Sequence, residues 1–158
     1  MKITIIILII IIAVIIIASL VMRQRMLKGQ NHIWKLFMKN DGIIRALDSW
    51  MDLRERGVSI ESIIKDNGYD RVAIYGFGVL GRRLYKELQG GNIKIDYIVD
   101  KKLCGQGDGV TIVSPDNDLP ETGLLIITAI GDYLAIRKSM KKKLDCPIIS
   151  FEDVVYGN

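Results

Sequence analysis

Apolar and polar positions along this chain change rhythm three times. Ile3 to Met22, "ITIIILIIIIAVIIIASLVM", is apolar without a break except at Thr4 and Ser19. Further on, Ile43, Leu47, Trp50 and Met51 recur at helical spacing, with Asn40 or Asp41 as a cap and Gly57 as a stop. Ser59 can cap a second short helix carrying Ile60, Ile63 and Ile64, which Asn67-Gly68 ends. From Tyr69 onward, strand and helix patterns alternate. Val72–Tyr75 reads as a strand, and Leu80, Leu84 and Leu88 give the next helix one apolar face before Gly90-Gly91 ends it. Ile93–Asp100 and Gly109–Val113 read as strands. Gly123–Ile130, "GLLIITAI", is a near-continuous apolar run, as in a strand buried on both faces. Asp132–Leu144 reads as a helix and Pro147–Phe151 as a last strand. This alternation predicts an α/β domain built on a small parallel sheet.

Three regions follow from the pattern: a transmembrane anchor over 1–22, a basic flank and helical connector over 23–68, and the α/β domain over 69–158. About 20 consecutive apolar residues are what a helix needs to cross the hydrocarbon layer. A secretory signal is the rival reading, since Ala13 and Ala18 are small. Its apolar region normally runs to about 7–15 residues with the basic cluster ahead of it, whereas here the run is longer and the basic cluster follows.

Charge orients the anchor. Arg23, Arg25, Lys28, Lys35, Lys39 and Arg45 follow the run, opposed only by Asp41, so the body is expected on the cytoplasmic side of the inner or plasma membrane, after a single pass. That flank is +5 and Lys2 adds one, so the chain's net +4 leaves −2 for residues 46–158. The sequence pI of about 9.1 therefore belongs to the membrane flank, where basic residues also favour anionic lipid. Nucleic acid is not an expected partner, because that requires a basic patch on the folded domain. Cys104 and Cys146 form no C-x-x-C pair and His32 is the only histidine, so no metal site is expected. Two such cysteines suit a reducing compartment.

Candidate chemistry concentrates at "VAIYGFGVLGRRLYKEL", residues 72–88. A strand runs into Gly76-Phe77-Gly78-Val79-Leu80-Gly81, a helix opens from it, and Asp100 stands 19 positions beyond Gly81 at the end of the next strand. These are the context requirements of a dinucleotide-binding turn. Gly76 would allow the tight turn, Gly78 the approach of a pyrophosphate, and Gly81 close packing of helix on strand. The helix N-terminus would offer unpaired N–H groups to the phosphate. Asp100 would accept from a ribose 2′-hydroxyl, Lys101 stands beside it, and Thr128, Ala129 and Ile130 would lie near a base or sugar. The alternative is a tight strand-to-helix corner kept for packing alone.

The residues "VAIYGFGVLGRRLYKEL…IDYIVDKKLCGQGDGVTIVSPDNDLP…LLIITAI" resemble the Rossmann-like domain of bacterial membrane-anchored surface-polysaccharide biosynthesis proteins, the sugar-nucleotide dehydratases, epimerases and initiating sugar transferases. The resemblance spans about residues 70–155. It rests on Gly76, Gly78, Gly81, Asp100, Gly105, Gly109, Val110–Val113 and Asp118-Leu119-Pro120. It implies a nucleotide or sugar-nucleotide ligand, NAD among the candidates, a glycine-containing hairpin after Asp100, and a polysaccharide-assembly protein as partner. Those proteins carry a separate catalytic domain with no counterpart here.

No catalytic set stands out. The only Y-x-x-x-K spacing, Tyr97 to Lys101, runs from a predicted strand into a loop, where residues four apart are not stacked as on a helix. Asp100, Thr128, Asp132 and Tyr133 are the polar candidates at the strand ends. Two readings from different classes remain open: a membrane-tethered nucleotide-binding module, and an NAD-dependent sugar-nucleotide-modifying enzyme completed by a partner subunit. A ligand-free scaffold is the third.

Overall fold

The computed structural model describes residues 2–157 except 104 and 108, and the side chains of these except 2–10, 31–33, 35, 106 and 107. Two compact units result, Met1–Met38 and Lys39–Asn158. The first lies within helix α1, Lys2–Glu55. Its described apolar side chains from Ile11 to Met22 are exposed on every side of the helix. The part of the expected anchor over residues 3–10 has its side chains outside the described residues. Among the described residues, no helix is long and apolar enough to cross a membrane. Cys104 and the side chain of His32 also lie outside the described residues.

The second unit is an α/β domain. After the end of α1 come α2 (Ile60–Asp66), β1 (Arg71–Tyr75), α3 (Val79–Leu88), β2 (Lys94–Val99) and β3 (Gly105–Gly107). Then follow β4 (Val110–Val113), β5 (Leu124–Ile127), α4 (Tyr133–Met140), β6 (Ile148–Ser150) and α5 (Phe151–Tyr156). The six strands lie in the order β3-β4-β2-β1-β5-β6. Every neighbouring pair is parallel except β3 with β4, so five strands form a parallel sheet with one antiparallel edge. β1 sits between β2 and β5. From it the chain winds one way through β2 to β4 and the other way through β5 to β6.

The period-2 alternation of strands sorts side chains between two cores. Val72 and Ile74 of β1 pack with Leu80, Leu84 and Leu88 of α3, Ile60 and Ile64 of α2, and Phe151 of α5. Ala73 and Tyr75 face the other way, toward Tyr97, Val99, Leu125, Ile127 and Met140. β5 is buried along its whole length, which is why its sequence is uninterrupted apolar. The leucine stripe of α3 is buried at all three positions. Residues expected as a connector supply part of the first core: Ala46, Trp50 and Leu53 are buried in it. Trp50 packs edge-on against Phe151 at 5.0 Å, and its Nε1 donates to Glu87 at 2.8 Å. Met51, on the same expected stripe, is 63% exposed.

Several local expectations are corrected. Asn40 and Asp41 do not start a helix; both lie inside α1, where Asp41 pairs with Arg45 at 2.8 Å. The strand expected to reach Ile130 stops at Ile127, and Ile130–Asp132 form a 3₁₀ turn before α4. Phe151 begins a helix instead of ending a strand. Ser150 Oγ accepts the Glu152 N–H and Asp153 accepts the Ser150 N–H, both at 3.0 Å, so a reciprocal cap sets the switch. The expected glycine-containing hairpin is present as β3 and β4, and Gly105 and Gly109 both have positive φ.

Candidate functional site

The glycine turn stands at the C-terminal end of β1, where the strand order reverses between β2 and β5. Open α/β sheets bind ligands in the crevice outside such strand ends. Gly76 has φ +94°, a conformation open to glycine at little cost. A Cβ there would also meet Thr128 Oγ1 at 3.0 Å. At Gly81 a Cβ would run into the Gly76 carbonyl oxygen, so only glycine lets α3 press against the turn. Gly78 is different: it caps α3 with no side-chain bond, and a Cβ there meets nothing within 4 Å. The space over Gly78 is open to a ligand.

Two side chains expected to touch a ligand hold the turn together. Asp100 Oδ2 accepts the Phe77 N–H at 2.8 Å, and Oδ1 accepts those of Lys102 and Leu103 at 2.8 and 3.2 Å. Burial pushes the Asp100 carboxyl upward, but the three backbone N–H bonds and the Lys102 charge outweigh it, and the net shift is down. The Thr128 hydroxyl lies 3.0 Å from the Tyr75 carbonyl and 2.8 Å from that of Gly76, while the Thr128 N–H donates to Tyr75 at 2.9 Å. β2 and β5 therefore clamp the turn from both sides.

The remaining expected residues divide. Phe77 and Leu80 are buried, Phe77 edge-on to Tyr85 at 5.9 Å. Ile130 packs toward the first core, where its Cγ2 leaves only 3.1 Å for a Cβ on Gly42. Val79 is exposed at the mouth of the turn. Gly76, Asp100, Lys101 and Ala129 border one cleft of about 510 Å³, together with Tyr75, Asp116, Asp132 and α4 residues from Ala135 to Met140. That volume falls in the usual range for small-molecule sites, roughly 300–1,000 Å³. Lys143 fixes one wall, its Nζ donating to the Pro115 and Asn117 carbonyls at 2.7 and 3.0 Å.

Tyr133 points away from the cleft, its hydroxyl 3.5 Å from the Ile148 carbonyl. Tyr97 is 2% exposed and donates to the Pro120 carbonyl at 2.7 Å, whereas Lys101 is exposed, so the Y-x-x-x-K spacing assembles no pair. Burial first, then the charges near it, push the Tyr97 pKa to about 12, which leaves it protonated near neutrality. Tyr75 and Asp116 escaped the sequence reading. The available signal was the position of Tyr75 as the last strand residue before the turn, on the opposite face from Ile74. A larger groove of about 640 Å³ lies between residues 47–54 and α3. Its buried carboxylate, Glu87, is already engaged by Trp50, the Ile60 N–H and Arg54.

Fold and site together define an α/β protein with a doubly wound parallel sheet and a crevice at its strand-order reversal. No protein-family model, curated protein or solved structure matches the chain.

Proposed function

We propose that this chain is a membrane-tethered, Rossmann-like module that binds a nucleotide or sugar-nucleotide at the glycine turn, as an accessory to surface-polysaccharide assembly. The observation that carries the binding reading is the open space over Gly78, at the N-terminus of α3 and beside the cleft at the strand-order reversal. The phosphates would meet the N–H groups of the first helical turn. The tether reading rests on the apolar run of Ile3–Met22, the exposed apolar side chains from Ile11 to Met22, and the six basic residues that follow. A helix that is apolar all round belongs inside a protein or a membrane. The pathway rests on the resemblance alone.

A purely structural corner is the second reading. It is favoured by Asp100 and Thr128, whose polar atoms hold backbone groups of the turn. Calorimetry on the full chain in mild detergent, with NAD, NADP, UDP-glucose and coenzyme A, separates the two. Binding of at least one at or below about 1 mM, lost in Gly78→Val while the unfolding midpoint holds, is the expected result. Absence of binding, or equal binding by Gly78→Val, leaves the turn a corner.

A further inference from the structure

Tyr75 closes β1, one residue before the glycine turn. Its ring packs in the second core against Tyr97, Val99 and Met140, and the residue is 7% exposed. The residue lines the cleft, and no hydrogen bond of its hydroxyl is found among the described residues. A phenol that borders a cavity and spends its proton on no protein group can donate to whatever enters.

What surrounds it narrows the choice. Burial, followed by the charges of Asp100, Asp116 and Asp132, pushes the Tyr75 pKa up, so the phenol stays protonated and can donate. The cleft is bordered by those three aspartates and by Lys101 and Lys102. That balance of charge disfavours a phosphate inside the cleft. A neutral group rich in hydroxyls suits it: hydroxyls donate to Asp116 and Asp132, one accepts from Tyr75 Oη, and the carbon face lies on Ile136 and Met140. We infer that the cleft beside the turn is a sugar subsite, in which Tyr75 Oη contacts a ring hydroxyl while the diphosphate stays over Gly78. The inference rests on the reading of the turn as the phosphate end.

Two matched ligand pairs test it on the full chain in detergent: ADP with ADP-ribose, and UDP with UDP-glucose. Each pair differs by one sugar on the same nucleoside diphosphate. In at least one pair the sugar-bearing member should bind about tenfold tighter. Tyr75→Phe should cut that advantage to about threefold or less, the worth of one neutral hydrogen bond, and leave the nucleoside diphosphate's Kd unchanged. Because the hydroxyl holds nothing within the protein, its removal should not lower the unfolding midpoint. Asp132→Asn, on an exposed side chain, should reduce the advantage as well. Diphosphates that bind with no sugar advantage, or an advantage that survives both substitutions, overturn the subsite and leave the turn reading standing. If no member of either pair binds at millimolar concentration, the turn reading fails and the subsite with it.

Discussion

The carboxylate of Asp100, at the end of β2, accepts the backbone N–H of Phe77 at 2.8 Å, inside the turn that follows β1. This bond ties the glycine turn to the neighbouring strand, and the same side chain fixes the first residues of the next loop through Lys102 and Leu103. An aspartate in this position is thus first a brace for the turn. Asp100→Ala should strip the bonds from the Phe77, Lys102 and Leu103 N–H groups and cost about 1–3 kcal/mol in urea unfolding. The folded pKa lies below the ordinary aspartate value of about 3.9, so its contribution is present above that pH. It should be lost as the pH falls through the folded value, and Asp100→Ala should unfold with a flatter pH profile below about pH 4. An unchanged profile would remove the brace.

Gly81 and Gly78 stand three residues apart and should respond oppositely. Gly81→Ala drives a methyl into the Gly76 carbonyl, so α3 must move off the turn; a loss of about 2 kcal/mol or more in unfolding free energy is expected. Gly78→Ser has open space and ordinary backbone angles, φ −78° and ψ −153°, and supplies the missing N-cap. It should keep or slightly raise stability. Equal destabilisation by the two would mean the turn is not packed as described.

Tyr97 sets an alkaline limit. Its phenol is buried and its pKa is raised to about 12, against about 10 in the unfolded chain. The group binds its proton more tightly when folded, so its contribution is complete below about pH 10 and declines as the pH approaches 12. Spectrophotometric titration should show a phenol ionising near pH 12, absent in Tyr97→Phe. Ionisation of every tyrosine by about pH 10.5 would contradict the burial.

The tether has its own test. With residues 1–22 in the membrane and the body cytoplasmic, protease added to intact spheroplasts should leave the body uncut, and detergent, not high salt, should release the chain. Digestion in intact spheroplasts or release by salt alone would count against the anchor and its orientation.

Much of the sheet was legible because strand and helix periodicities are local. Val72–Tyr75 and Leu80, Leu84 and Leu88 declare their elements from spacing, and the unbroken apolar run of β5 declares burial on both faces. The short pieces were not legible. α5 depends on a cap formed by Ser150 and Asp153, and the stop of β5 at Ile127 depends on where its neighbours end.

The sequence by itself determined that a strand, a glycine turn and a helix follow one another, and that Gly76, Gly78 and Gly81 stand in that turn. Only the tertiary structure decided what the side chains around them do. Asp100 and Thr128 look the same in sequence whether they face a ligand or a carbonyl and amide of the turn. Their direction was set when β2 and β5 closed on either side of β1. Tyr75 became a cleft residue only because the ends of β1, β2, β4 and β5 meet α4 there. Backbone periodicity is encoded within a few residues, whereas a cavity is made by segments far apart in the chain, and its chemistry exists only once they pack.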